Sequence, residues 1–180
     1  MLSTFGLTGV TYFPQPTDSR MHPGTARFLA IVGLPSSRLF SGKLDLGSAD
    51  RLPCRPSLKA DFEADGASLP EGAEHWEILG EFQFTTVALD PRSGRVCSFA
   101  EGEECYVPMH QDVSSLVHTL TSVEIGLAGL KTLPHHDDQA RADAIGKLRG
   151  HITQVDETPL ADENGAWSRF FEEVTLGMWG

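Results

Sequence analysis

Two rhythms of apolar residues divide this chain, and one gives way to the other near Asp112. Upstream, short runs of β-branched and aromatic residues are broken by Gly, Pro and Asp, the pattern of strands in a sheet. Trp76, Ile78 and Leu79 open the strongest run, which continues through Phe82, Phe84, Thr86, Val87 and Leu89. Asp90-Pro91-Arg92-Ser93-Gly94 then offers a proline to start a turn and a glycine that tolerates positive φ. Arg95 to Phe99 and Cys105 to Met109 follow as further strands, so the middle of the chain reads as an antiparallel meander. Leu58 to Phe62 reads as an earlier strand, set off by a loop on Gly66, Pro70 and Gly72.

Beyond Asp112 the spacing turns helical. Val113, Leu116, Val117, Leu120, Val123, Leu127 and Leu130 fall on one helix, with Asp112 or Ser114 as its N-cap. Ala140, Ala144, Ile145 and Leu148 predict a second, whose positive N-terminus suits Asp137 and Asp138. Trp167, Phe170, Phe171, Val174 and Met178 predict a third, starting near Asn164 or Gly165. At the other end, Leu7 to Phe13 reads as a short strand or arm stopped by Pro14 and Pro16. Thr25 to Val32 reads as a short helix between Pro23 and the Gly33 to Pro35 stop, and residues 34–56 look irregular. Strands followed by helices argue an α+β fold: an antiparallel meander flanked by a short N-terminal helix and two or three C-terminal helices. The expected organisation is a single domain over residues 1–180: an arm to about residue 24, helix and sheet over 25–112, and a helical part over 113–180.

Composition narrows the function. At 180 residues the chain can bury about 70% of its unfolded surface without disulfide or metal staples. Phe28 to Pro35 is the longest nearly apolar run, far short of the roughly 20 residues that span a bilayer. No Lys or Arg precedes the first apolar residues, so the reading expects neither export nor membrane insertion, and a cytoplasmic protein. Three cysteines, Cys54, Cys97 and Cys105, form no CxxC pair and suit a reducing compartment, with Cys97 and Cys105 as small strand hydrophobes. The net charge is −11, unevenly spread. Residues 1–60 carry 7 basic and 3 acidic side chains, 61–112 carry 2 and 12, and 113–180 carry 5 and 10. Such a centre repels phosphates, which argues against a nucleic-acid partner, and it steers cationic ones. A solvated acidic surface that only aids solubility accounts for the same numbers.

Few clusters suggest chemistry. His135-His136-Asp137-Asp138 is the tightest set of metal-type ligands, but neighbours in one element point apart, and a polar loop with a helix cap explains them. His110, His118 and His151 could contribute only if the fold brought them near. On a strand, Asp61, Glu63 and Asp65 would share one face; an exposed edge accounts for them as readily as acid–base work. Glu101-Gly102-Glu103-Glu104 reads as an acidic hairpin tip, either a plain loop or a docking loop for a basic surface. No nucleophile elbow, P-loop or HExxH occurs. The residues therefore give no enzyme, cofactor or metal.

Three passages resemble the SUKH superfamily of bacterial immunity proteins, most of all its fourth subfamily. Phe28-Leu29-Ala30-Ile31-Val32-Gly33-Leu34-Pro35 is similar to the family's early helix and Gly-Leu-Pro turn. Leu79-Gly80, then Thr86 to Asp90 and Gly94-Arg95-Val96, is similar to its strand, Asp-turn-Gly, strand core. Ser114-Ser115-Leu116 resembles its helix start, with Gln111-Asp112-Val113 standing where the family has Asn. The stretch from Gly165-Ala166-Trp167 to Trp179 resembles the subfamily's Trp-containing closing helix. The resemblance implies a non-catalytic protein that binds and neutralises a cognate toxin of a polymorphic or contact-delivered system in the producer cell. Many such toxins are nucleases or deaminases, and a basic one fits the acidic centre. The expected toxin-facing residues are Asp61, Phe62, Glu63, Asp65, Glu101, Glu103, Glu104 and Tyr106. Rival readings are a regulatory or ligand-binding interaction module of the same fold, and a metal-dependent enzyme using His135, His136 and Asp137.

Overall fold

A computed structural model describes residues 1–14, 21–45, 55–100, 105–134 and 137–179. The elements run α1 (Leu2–Phe5), β1 (Val10–Thr11), α2 (Pro23–Ile31), β2 (Leu34–Pro35), β3 (Phe40–Gly42), α3 (Leu58–Ala64), β4 (Glu77–Phe82), β5 (Thr85–Leu89), β6 (Val96–Ala100) and β7 (Val107–His110). Then come α4 (Val113–Leu130), α5 (Asp138–Val155), a 3₁₀ turn (Thr158–Leu160) and α6 (Ala166–Thr175). Strands β3 to β7 pair antiparallel in sequence order, the meander of an α+β fold, and β1 and β2 form a separate two-stranded ladder.

Alternation along the strands sorts two cores onto the two faces of the five-stranded sheet. Val87, Leu89 and Val96 join Phe82, Leu79 and the apolar stripes of α4 and α6 in the larger one. Ala88, Cys97 and Phe99 point the other way and, with Ile78, meet Leu58, Ala73 and Trp76 in the smaller one. Helix α4 carries the predicted stripe, and its N-cap Asp112 accepts from the Ser115 backbone N–H at 2.9 Å. Its mean hydropathy of 1.3 over 18 residues would suit a bilayer, but half of it is buried in the protein, as expected of a core helix. Helix α5 packs outside α4 and buries only Ile145 and Ile152 fully.

Several expectations change. Leu58 to Phe62 is helix α3, because Leu58 and Phe62, four residues apart, both face the smaller core. The long run from Trp76 to Leu89 is a hairpin, β4 and β5, folded at Gln83-Phe84; Gln83 takes a left-handed φ of 54° with no glycine present. The N-terminal run yields only the two-residue β1 after helix α1, and β2 and β3 interrupt the segment expected to be irregular. Cys97 is buried in β6, where loss of solvation pushes its thiol up to about 12, whereas Cys105 is exposed before β7 instead of buried in a strand. Met178 lies beyond the end of α6 and is exposed. Cys54, His135 and His136 lie outside the described residues.

Candidate functional site

Helix α3 and the loop after it form a thin layer on the sheet face opposite α4. Phe99 of β6 is its anchor: Phe62 meets it edge-on at a centroid distance of 5.7 Å, and Trp76 at 5.9 Å. Tyr106 leans on Trp76 at 4.8 Å and on Phe99 at 6.1 Å, yet remains 41% exposed. Two of the aromatics expected at an interface, Phe62 and Tyr106, thus belong to one cluster. Phe62 is half-buried and supports the layer, whereas Tyr106 presents its ring to solvent. Trp76 and Phe99 complete the cluster; the sequence marked both only as strand residues.

The carboxylates of this layer are not all free. As α3 is a helix, Asp61 and Asp65 share a face and Glu63 turns away, in place of the single row a strand would give. Lys43 Nζ lies 3.0 Å from Glu81 and 3.9 Å from Asp61, linking the sheet to α3. Burial works against the Lys43 charge, but the hydrogen bond to Glu81 and the fields of Asp61, Glu81 and Asp65 outweigh it and raise the pKa. Glu63 pairs with Lys59 at 3.7 Å, an exposed contact of little energetic weight. Asp65, Glu71 and Glu74 are exposed around the same layer. Glu101, Glu103 and Glu104 lie outside the described residues. The layer is an aromatic platform with an acidic rim, in part neutralised by two lysines.

A second polar cluster sits on the helical side, fully enclosed. Trp167 Nε1–H donates to His110 Nε2 at 2.9 Å, so that nitrogen carries no proton. His110 Nδ1–H then donates to Ser115 Oγ at 2.9 Å, and Ser115 donates to Asp156 Oδ2. Asp156 also accepts from the backbone N–H groups of Gln111 and Thr158, each at 2.9 Å. Burial alone would raise the Asp156 carboxyl; its contacts with His110, Ser115, Gln111 and Thr158 prevail and hold it well below the usual carboxylate range. Ser, His and Asp meet here in the wrong order for a catalytic triad, because the serine sits between the other two. Trp167 already occupies the imidazole nitrogen that would move a proton. The cluster is a clasp joining β7, α4, the 3₁₀ turn and α6. Of the described members of the suggested metal set, Asp137 is spent as the α5 N-cap, accepting from the Ala140 N–H at 2.9 Å, and Asp138 opens the helix.

Enclosure makes the clasp sensitive to acid. Burial lowers the His110 pKa from its ordinary 6.5, more than Asp156 and Asp112 raise it. Below that value the unfolded chain takes up a proton that folded His110 refuses, so stability is complete above about pH 6.5 and declines beneath it. The expected slope is up to about 1.4 kcal/mol per pH unit, measured from urea midpoints between pH 8 and pH 5. A flat profile over that range would show that His110 titrates alike in both states.

A family model described as SUKH-4 immunity protein matches residues 1–173, nearly the whole chain. The chain belongs to the SUKH-4 immunity protein family. No curated protein and no solved structure matches it significantly. Membership makes toxin immunity the broad function, and immunity proteins are generally non-catalytic. The landmarks that suggested the family have physical roles in this member. Gly33 takes φ 77° where a Cβ would stand 2.4 Å from the Thr11 carbonyl oxygen, letting β1 and β2 close. The Asp90 turn closes through Asp90 Oδ1, which accepts from the Arg92 N–H at 2.9 Å. Trp167 of the closing helix is the donor of the clasp.

Proposed function

We propose that this SUKH-4 protein neutralises a cognate toxin by stoichiometric binding in the cytoplasm of the producer cell, with the α3 layer as the toxin-facing surface. The family match over residues 1–173 carries the immunity reading. The choice of face is supported by Tyr106, an exposed ring held from behind by Trp76 and Phe99, and by the carboxylates that α3 and the loop after it carry, Asp61, Glu63, Asp65, Glu71 and Glu74. Rigid aromatics that are backed by other rings lose little entropy on docking and are frequent binding hot spots. The rim, together with the acidic run Glu101, Glu103 and Glu104 that precedes Tyr106 in sequence, favours a basic toxin, of the nuclease or deaminase class, from a polymorphic or contact-delivered system.

Two measurements test this. Co-expression with its cognate toxin, sought first among toxin domains encoded in neighbouring genes, should restore growth, and failure of every such candidate to be rescued or to form a complex would overturn the immunity pairing. Reversing Glu101, Glu103 and Glu104 to Lys should slow association at least about tenfold at low salt, with less effect at high salt. Tyr106→Ala should instead speed dissociation. If both variants keep wild-type kinetics while rescue persists, the toxin binds another face.

A further inference from the structure

The fold brings together two histidines that are 33 positions apart in sequence. His118 on α4 and His151 on α5 face each other with ring centroids 5.0 Å apart and planes tilted by 47°. His118 Nε2 is buried from solvent and has no hydrogen-bond partner in the protein. A buried polar nitrogen left unpaired costs about 1–3 kcal/mol, so a group that fills the position is favoured. His151 is exposed, with its ring beside that of His118. Among the described residues no three His, Cys, Asp or Glu side chains converge, so the protein offers two nitrogen donors, one buried and one exposed, and water can complete the shell only from the exposed His151 side.

We propose that His118 and His151 form a bis-histidine site for a divalent transition metal, of the nickel or zinc class, that clips α5 to α4. Imidazole pairs suit these ions, and hard cations such as magnesium or calcium prefer oxygen. The position gives the clip a purpose. Helix α5 is the outer helix, and only Ile145 and Ile152 are fully buried along its 18 residues. The crossing is packed nearby: a Cβ at Gly126 would stand 2.6 Å from Leu148 Cδ2, so the Leu148 side chain of α5 lies over the glycine of α4. A metal bridging the helices would bind the folded chain and not the unfolded one, which raises the melting temperature by mass action.

The test uses full-length protein without a histidine tag, freed of metal and titrated with Ni²⁺ or Zn²⁺ alone. At tenfold excess over the dissociation constant, the melting temperature should rise about 2–4 °C, fall back with EDTA, and calorimetry should show one ion per chain. His151→Gln is at an exposed position and should fold normally, but lose the shift. His75→Gln, at an exposed histidine on the other side of the sheet, should keep it. The absence of a shift in the wild type, or an equal shift in His151→Gln, would overturn the site; the latter would move binding to other histidines, such as His135 and His136. Toxin neutralisation is not involved in either outcome, so the result is independent of the proposed function.

Discussion

Asp156→Ala is expected to lower folding stability by about 3–5 kcal/mol, read from the urea midpoint at pH 7.5. Three donors converge on that carboxylate: the Gln111 and Thr158 backbone N–H groups and the Ser115 hydroxyl. Asp156 is 5% exposed, so water cannot replace it readily, and each abandoned donor carries its own desolvation cost. Asp156→Asn keeps an acceptor oxygen and should recover part of the loss. Trp167→Phe preserves a large ring but leaves His110 Nε2 without its donor, and a loss of about 1–3 kcal/mol follows. Should Asp156→Ala shift stability by less than about 1 kcal/mol, the clasp would be ornamental to the fold.

The second large effect belongs to Gly80. A Cβ at that position would stand 2.3 Å from the Ser41 carbonyl oxygen, 2.7 Å from Phe40 Cζ and 3.0 Å from Gly42 Cα. All three belong to β3, which is only three residues long and pairs solely with β4. Gly80→Ala should therefore cost about 1–3 kcal/mol and Gly80→Val more, with β3 amides losing protection from hydrogen exchange first. Gly146→Ala is the contrasting control. It lies inside α5 with open space around it and should gain about 0.5–1 kcal/mol. Equal thermal unfolding of Gly80→Val and wild type would mean that β3 can shift without loss.

Long periodic segments were legible in the sequence because their burial is repeated. Helix α4 has nine buried positions, and β5 and β6 alternate between two cores, so no single residue decides either element. Sequence and structure part where one local exception governs. Gln83-Phe84 turns a hairpin without Gly, Asn or Asp, which hides the turn from residue chemistry. Leu58 to Ala64 is too short for a helical period to declare itself, and its alternating acids imitate a strand. For the candidate site, Phe62, Tyr106 and the carboxylates were visible as residue types, but Lys43, Glu81, Trp76 and Phe99 enter through contacts between distant positions. His118 and His151 have no sequence feature that places them together; only the α4–α5 crossing does so. The clasp also escaped notice, because a serine, a histidine and an aspartate spread over 46 positions carry no local signature.

The sheet separates two apolar interiors that share no residue. Changes confined to Leu58, Phe62, Leu69, Trp76 or Phe99 touch only the smaller of them. Effects there should add independently to those of changes in α4 or α6, since the altered groups have no partner in common. Substitutions can thus accumulate in the outer veneer step after step, while the helical half stays folded and need not change in concert.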